Sequence, residues 1–178
     1  TPASTLTATT GITLTTGAGT IGTGTGANAI SLAAGQAGVS ATTHGADVYL
    51  DGAGALTIGA VTTTGNTNAN GGNVNIAAVG ALNTGTITTK GGNATAAGKD
   101  GGSVTLNSSG STLTVTGAIN SRGSDATFGS NSGGKGGNLT LSGATGIVLN
   151  NNLTAVGGAG FGGGAQGTSG TVALTSSA

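Results

Sequence analysis

His44, Asp47 and Asp51 gather around Val48-Tyr49-Leu50. Alternate residues of an extended strand share a face, so with Val48 and Leu50 inward, Asp47, Tyr49 and Asp51 point outward together. Two carboxylates on one face have the chemistry to hold a cation or to act as an acid/base pair on a saccharide. The rest of the chain gives them little support. The only other acids are Asp100 and Asp125, and His44 is the sole histidine. A solvated surface patch is the better reading, so no catalytic, cofactor-binding or metal-ligating residue is assigned and no cofactor is expected.

The remaining charges are Lys90, Lys99 beside Asp100, Arg122 near Asp125, and Lys135. They read as solvation of exposed loops more readily than as a charged recognition edge. Gly98-Lys99-Asp100-Gly101-Gly102 has the look of a phosphate loop or a calcium-binding nonapeptide. No helix follows it and it is not tandem, so both readings fail. Asn93, Asn107, Asn138 and Asn152 each begin an Asn-x-Ser/Thr triplet, which is a glycosylation acceptor only in a eukaryotic secreted chain. Phe161 sits in a run of Gly and Ala and is expected as an exposed aromatic on a flexible loop, a lateral contact or a ligand-stacking group, with a loop tucked against its neighbour as an equal alternative.

Behind these residues stands an unusual composition. Of 178 residues 40 are Gly, 4% are charged, and the net charge is zero. Balanced, sparse charge excludes the basic footprint of a nucleic-acid binder and removes the repulsion that keeps copies of a protein apart. No apolar run approaches the length of a membrane span. Cys and Met are absent, which suits an oxidising, extracellular setting. With no initiator Met and no signal peptide, the sequence reads as a mature or excised fragment. Collagen is excluded, because Gly does not fall on every third residue and Pro2 is the only proline.

The elements that must position these residues are short aliphatic alternations. Ile12-Thr13-Leu14, Ile30-Ser31-Leu32, Val48-Tyr49-Leu50, Val74-Asn75-Ile76, Val104-Thr105-Leu106, Leu139-Thr140-Leu141 and Val172-Ala173-Leu174 are each a period-2 strand signature. Their spacing widens along the chain, most of all from Val74 onward. In most copies a second apolar strand follows, such as Leu56-Thr57-Ile58 or Leu113-Thr114-Val115, and then a single inward residue: Val61, Ile87, Ile119 or Leu153. The offsets Val48 to Val61, Val74 to Ile87, Val104 to Ile119 and Leu139 to Leu153 are nearly constant. The stretches that complete each repeat, Val61 to Val74, Ile87 to Val104, Ile119 to Leu139 and Leu153 to Val172, vary more. Variation confined to one segment of a repeat means insertion at one corner of a stacked coil.

Glycines between the strands, namely Gly52, Gly54, Gly80, Gly85, Gly110, Gly117, Gly143 and Gly146, are expected at corners with positive φ. Asn or Ser follows three of the strand-leading glycine doublets (Asn73, Ser103, Asn138), and Asn and Thr stacked at equivalent rung positions are expected to form hydrogen-bonded ladders. No stretch has helical periodicity, so no helix is expected.

The runs Gly72-Asn73-Val74-Asn75-Ile76, Gly102-Ser103-Val104-Thr105-Leu106 and Gly137-Asn138-Leu139-Thr140-Leu141 carry a resemblance to the repeats of filamentous-haemagglutinin-like exoproteins, the long β-helix adhesins of bacteria, and to related autotransporter passengers. The likeness is one of period and composition, from about Ile12 to Leu174, and the Asn-Pro-bearing secretion domain of that family is not in the sequence. The resemblance implies a right-handed parallel β-helix, secretion, and a role in attachment or surface structure, with host or surface glycans as partners.

The fold expected is therefore all-β, a right-handed parallel β-solenoid of about seven rungs over residues 12–178, preceded by an extension or pairing strand over 1–11. A solenoid presents unpaired backbone at both ends, so a structural fibre subunit or adhesin shaft, stacking head to tail with its own copies, is the leading functional expectation. The assembly contacts expected are Leu6 (in Thr5-Leu6-Thr7, as a pairing strand), Ile12, Leu14, Val172, Leu174 and Phe161. An ice-binding solenoid is the alternative, although the Thr-x-Thr steps at Thr7, Thr13, Thr23, Thr84 and Thr114 do not fall at one position of the repeat. A polysaccharide-active enzyme is disfavoured by the scarcity of acids.

Overall fold

A computed structural model of the protein describes residues 5–177; residues 1–4 of the expected N-terminal extension, and Ala178, lie outside the described residues. The chain climbs coil by coil. β1 (Ile12–Thr15) comes first, then β2 (Ile30–Leu32) and β3 (Gln36–Thr42), then β4 (Val48–Gly52) and β5 (Leu56–Thr62). Three-strand coils follow: β6 (Val74–Ala78), β7 (Leu82–Thr84) and β8 (Ile87–Thr88); β9 (Val104–Ser108), β10 (Thr112–Val115) and β11 (Ile119–Asn120); β12 (Leu139–Gly143), β13 (Gly146–Leu149) and β14 (Leu153–Thr154). β15 (Val172–Ser176) begins the next coil.

Every pairing is parallel, and each strand lies on its counterpart one coil away, which makes the fold a parallel β-solenoid. One sheet runs β2-β4-β6-β9-β12-β15, and a nine-stranded sheet holds the others. Because rungs stack in register, inward side chains form columns. Val48, Val74, Val104, Leu139 and Val172 make one, and Leu50, Ile76, Leu106, Leu141 and Leu174 the next. Leu56, Leu82, Leu113 and Ile147 make a third, and Val61, Ile87, Ile119 and Leu153 another. From Val48 to Leu141 these side chains are at most 2% exposed, so a continuous aliphatic core runs up the axis between the two sheets.

Three expectations need correction. Ile12-Thr13-Leu14 does not belong to the first-strand column: it pairs with Val39–Ala41 in the nine-stranded sheet. The first sheet at that level is supplied by Leu6, bridged to Leu32, and by Ile21, bridged to Val48. An excursion containing a 3-10 turn at Gly26–Asn28 separates Ile21 from Ile30, and Ile30 lands opposite Leu50. Alternation alone does not tell which face of a coil a strand occupies, so the first sheet has six strands where the sequence offers seven alternations. The 3-10 turn also corrects the expectation of no helix; a single turn is too short to show a period. Finally, among the eight corner glycines only Gly146 has positive φ.

The other corners use glycine for close approach. A Cβ on Gly85 would sit 2.0 Å from the Gly59 carbonyl oxygen, and one on Gly117 2.3 Å from the Thr86 nitrogen. Neither contact is physically tolerable, so the coil spacing itself demands that these positions carry no side chain.

Candidate functional site

The corner after the third strand is where the coils differ, and its base is closed by a recurring backbone bond, to which a buried hydroxyl is added on some coils. Thr63 is buried and its Oγ1 donates to the Gly72 carbonyl at 2.6 Å; Thr89 Oγ1 donates to the Gly102 carbonyl at 2.7 Å. Ser121 Oγ donates to the same Gly102 carbonyl, and Thr43 Oγ1 to the Ala46 carbonyl. Backbone bonds close the same gap, Gly72 N–H to Thr63 O at 2.8 Å, Gly102 N–H to Thr89 O at 2.6 Å, Gly137 N–H to Ser121 O at 2.8 Å and Gly170 N–H to Ala155 O at 2.7 Å. However long the excursion, its two ends are clamped together.

Beyond the clamp the excursions are hydrogen bonded to one another without forming a β-sheet. The N–H groups of Gly65, Gly91 and Gly123 donate up the stack to the carbonyls of Lys90, Arg122 and Val156. On the returning limb those of Gly71, Gly101 and Gly136 donate to Asp100, Lys135 and Thr168, while the very next glycines bond across their own coil. Bonds therefore run in two directions, and each limb packs against backbone. A Cβ on Gly72, Gly102, Gly137 or Gly170 would lie 2.1 Å from the carbonyl oxygen of Ala46, Gly72, Gly102 or Gly137 respectively. Three glycine doublets and the single Gly170 thus let four limbs stack as bare backbone, with Cα–H groups facing carbonyls. Phe161 accordingly lies on a bonded segment, its N–H donating to Asn131 O at 2.9 Å and its carbonyl accepting from Gly164 N–H at 2.9 Å.

The excursions over 90–103, 122–138 and 156–171 carry every Lys and Arg of the chain. Between two of them lies a cleft of about 300 Å³ lined by Lys90, Asn93, Arg122, Ser124, Asp125 and Thr127, together with glycine and alanine. Arg122 pairs with Asp125, whose Oδ1 also accepts the Ala159 N–H at 2.7 Å. At the outer end of the excursions stand Phe128 and Phe161, 71% and 49% exposed. Their offset along the chain is the one that also relates Ala126 to Ala159, which are joined by a 2.8 Å backbone bond.

Tyr49 and Asp51 alternate with the buried Val48 and Leu50 as the sequence expects, and Asp47 lies on the same outward side, bonded to Tyr49. Asp47 Oδ1 accepts the Asn73 N–H at 2.7 Å and Oδ2 accepts the Tyr49 hydroxyl at 3.0 Å, so both oxygens serve the fold. Burial, then the bond and charge of Asp47, pushes the Tyr49 phenol above its ordinary value. His44 is exposed, and among the described residues no group of three or more His, Cys, Asp or Glu is placed to hold a metal ion.

Asp47 instead begins the ladder expected of Asn73, Ser103 and Asn138. Asn73 Oδ1 accepts the Ser103 N–H at 2.9 Å, Ser103 Oγ the Asn138 N–H at 3.2 Å, and Asn138 Oδ1 the Thr171 N–H at 2.9 Å. A parallel ladder runs from Asn70 Oδ1 to the Asp100 N–H at 3.0 Å and from Asp100 Oδ1 to the Lys135 N–H at 2.7 Å. Sequence reading missed that aspartate serves here as asparagine does. The signal was available, since Asp47, Asn73 and Asn138 all immediately precede a first strand.

The residues expected at assembly contacts separate into distinct environments. Val172 and Leu174 are 48% and 50% exposed on β15, which pairs only with β12. Leu6 is 42% exposed, but its pairing is within the chain: its N–H donates to Ser31 O at 2.8 Å and its carbonyl accepts the Ala33 N–H at 3.0 Å. Ile12 is buried and Leu14 packs against the core, both on a strand paired only with β3. A threonine column, Thr15, Thr42, Thr62, Thr88 and Thr154 interrupted by Asn120, does occupy one position of the repeat. It is a single file and not a plane. Comparison of the chain with protein-family models, with curated proteins and with solved structures returned no match.

Proposed function

We propose that the chain is a stretch of the shaft of an extracellular filament or adhesin, built to be extended coil upon coil. The observation that carries this reading is the state of β15. It has the same alternation as the strands beneath it, yet all of its residues are exposed. Val172 and Leu174 continue columns that are buried at every level from β4 to β12. An edge with unpaired backbone and two aliphatics uncovered is a template for another coil. In a filament that coil belongs to the next copy, against the β1 and Leu6 end; a coil continuing the same polypeptide would cover β15 in the same manner. Neutral charge removes the repulsion that would oppose such stacking.

Sedimentation velocity at rising concentration, with electron microscopy of the same samples, tests this. The chain is expected to form linear oligomers of one coil diameter. Leu174→Lys, which places a charge on the open edge without touching the buried core, is expected to leave soluble monomers with an unchanged β spectrum. A chain that stays monomeric at every concentration, or a Lys variant that assembles as well as its parent, overturns the reading.

A further inference from the structure

The sides of the solenoid carry a separate feature, which stands whether or not its ends assemble. In a chain with only four basic side chains, all four (Lys90, Lys99, Arg122 and Lys135) fall on the corner excursions with only Asp100 and Asp125 for company. The other two acids, Asp47 and Asp51, belong to the first sheet at the β4 level. The corner therefore holds an excess of two positive charges on a neutral protein. Lys90 and Arg122 occupy the same position on successive coils, since the carbonyl of each accepts a glycine N–H from the coil below. That puts their backbones about 4.8 Å apart, a juxtaposition of like charge that is unfavourable unless an anion lies between. Asp125 answers Arg122. Lys90 has no ion pair among the described residues.

Both cations line the 300 Å³ cleft, and so do the hydrogen-bonding side chains of Asn93, Ser124, Asp125 and Thr127. Phe128 directly follows Thr127 of the cleft wall, and Phe161 stands at the matching place one coil on. These are the only two phenylalanines in the sequence, and both are exposed. Neither contributes to the core, so folding does not account for them. Two aromatic rings on neighbouring coils make an apolar step beside a polar, cationic cleft. A sugar ring has the complementary surface, with C–H groups on one face to lie on an aromatic ring and hydroxyls at its edge for the cleft. A carboxylate on that sugar answers Lys90. A cleft of this size is at the small end of ligand sites, which suits a short stretch of saccharide.

We propose that this corner binds an acidic saccharide, a uronate-bearing glycan, with Lys90 and Arg122 facing the carboxylate and Phe128 and Phe161 stacking on the sugar rings. Isothermal titration with an oligogalacturonate, set against an uncharged cello-oligosaccharide of equal length, tests it. The acidic sugar is expected to bind at least about tenfold more tightly than the neutral one. Lys90→Gln is expected to weaken binding about tenfold and to reduce its dependence on salt. The double variant Phe128→Ala/Phe161→Ala is expected to weaken it about tenfold or more at unchanged circular dichroism. Equal affinity for the neutral sugar, absence of binding, or undiminished binding by the double Phe variant overturns the proposal. Full competition by inorganic phosphate at the same concentration as the sugar also overturns it, because the site would then be selective for charge alone. Sedimentation of the same variants separates this from end-to-end stacking; Phe161, expected from sequence as an assembly contact, lies on the 156–171 excursion and not on β15.

Discussion

Thr84 and Thr89 lie on one coil, both fully buried, and the same substitution should move stability in opposite directions. Thr84 stands in the column between Ile58 and Val115, and its Oγ1 is buried with no hydrogen-bond partner. Thr89 Oγ1 donates to the Gly102 carbonyl at 2.7 Å. Valine keeps the β-branched shape and replaces the hydroxyl by a methyl. At position 84 this removes an unsatisfied polar group whose burial costs about 1–3 kcal/mol and restores an unbroken aliphatic column. Thr84→Val is therefore expected to stabilise by about 1–2 kcal/mol. At position 89 the hydroxyl bond is lost while Ser121 still donates to the same carbonyl, so Thr89→Val is expected to destabilise by about 1 kcal/mol.

The two variants should then differ by about 2–3 kcal/mol, which for a chain of this length separates their melting temperatures by roughly 4–12 °C. Calorimetry, with urea unfolding as a second measure, reads the difference. If both variants shift the same way, or if Thr84→Val destabilises, the hydroxyl at 84 is satisfied and the distinction drawn between the two sites is wrong.

Other outcomes follow from the same geometry. Gly102→Ala places a Cβ 2.1 Å from the Gly72 carbonyl oxygen, and should cost about 3 kcal/mol or prevent folding, seen as a lowered urea midpoint. Asn73→Ala removes the acceptor for the Ser103 N–H; a loss of about 1 kcal/mol and faster hydrogen exchange at Ser103 are expected, and unchanged exchange there would count against the ladder. Tyr49 has its phenol raised above 10.0 by burial and by Asp47. Above that pH the unfolded chain ionises first, so the phenol's contribution to stability is intact at lower pH and declines as pH climbs through the raised value. Tyr49→Phe should remove that decline in a pH series of denaturation curves.

How far the fold can be read from sequence depends on whether a residue's role is set along the chain or across coils. Val48 and Leu50, Val74 and Ile76, and their successors reveal strands because alternation is a local property, and their near-constant offset to Val61, Ile87 and Ile119 reveals a coil. Ile12 reads as a first-sheet residue and is not one, because two aliphatics around a threonine look alike on either sheet. Ile21, isolated among Gly and Thr, offers no alternation, and its bridge to Val48 depends on a partner a full coil away. Alternation carries Thr63 and Thr89 inward behind Val61 and Ile87, and leaves Thr62 and Thr88 half-exposed; what it does not reveal is the carbonyl of the returning limb that each buried hydroxyl meets. Phe128 carries no local mark of its role, although it precedes Phe161 by the same offset that separates Leu139 from Val172.

Glycine resolves the apparent conflict between a thin core and an ordered corner. Each coil buries a handful of aliphatics, and conformational entropy is greatest for the residue used most. What offsets it is satisfaction of backbone. Where Gly72, Gly102, Gly137 and Gly170 stack Cα to carbonyl, excursions that would otherwise be open loops exchange water for hydrogen bonds along the stack and across the coil. Their bases are closed by the backbone bonds of Gly72, Gly102, Gly137 and Gly170 across the coil, so their length and tip sequence can change without disturbing the sheets. A solenoid built this way confines stability to its columns and ladders and leaves the outer ends of the excursions free to carry charge and aromatics, which is where Lys90, Arg122, Phe128 and Phe161 are found.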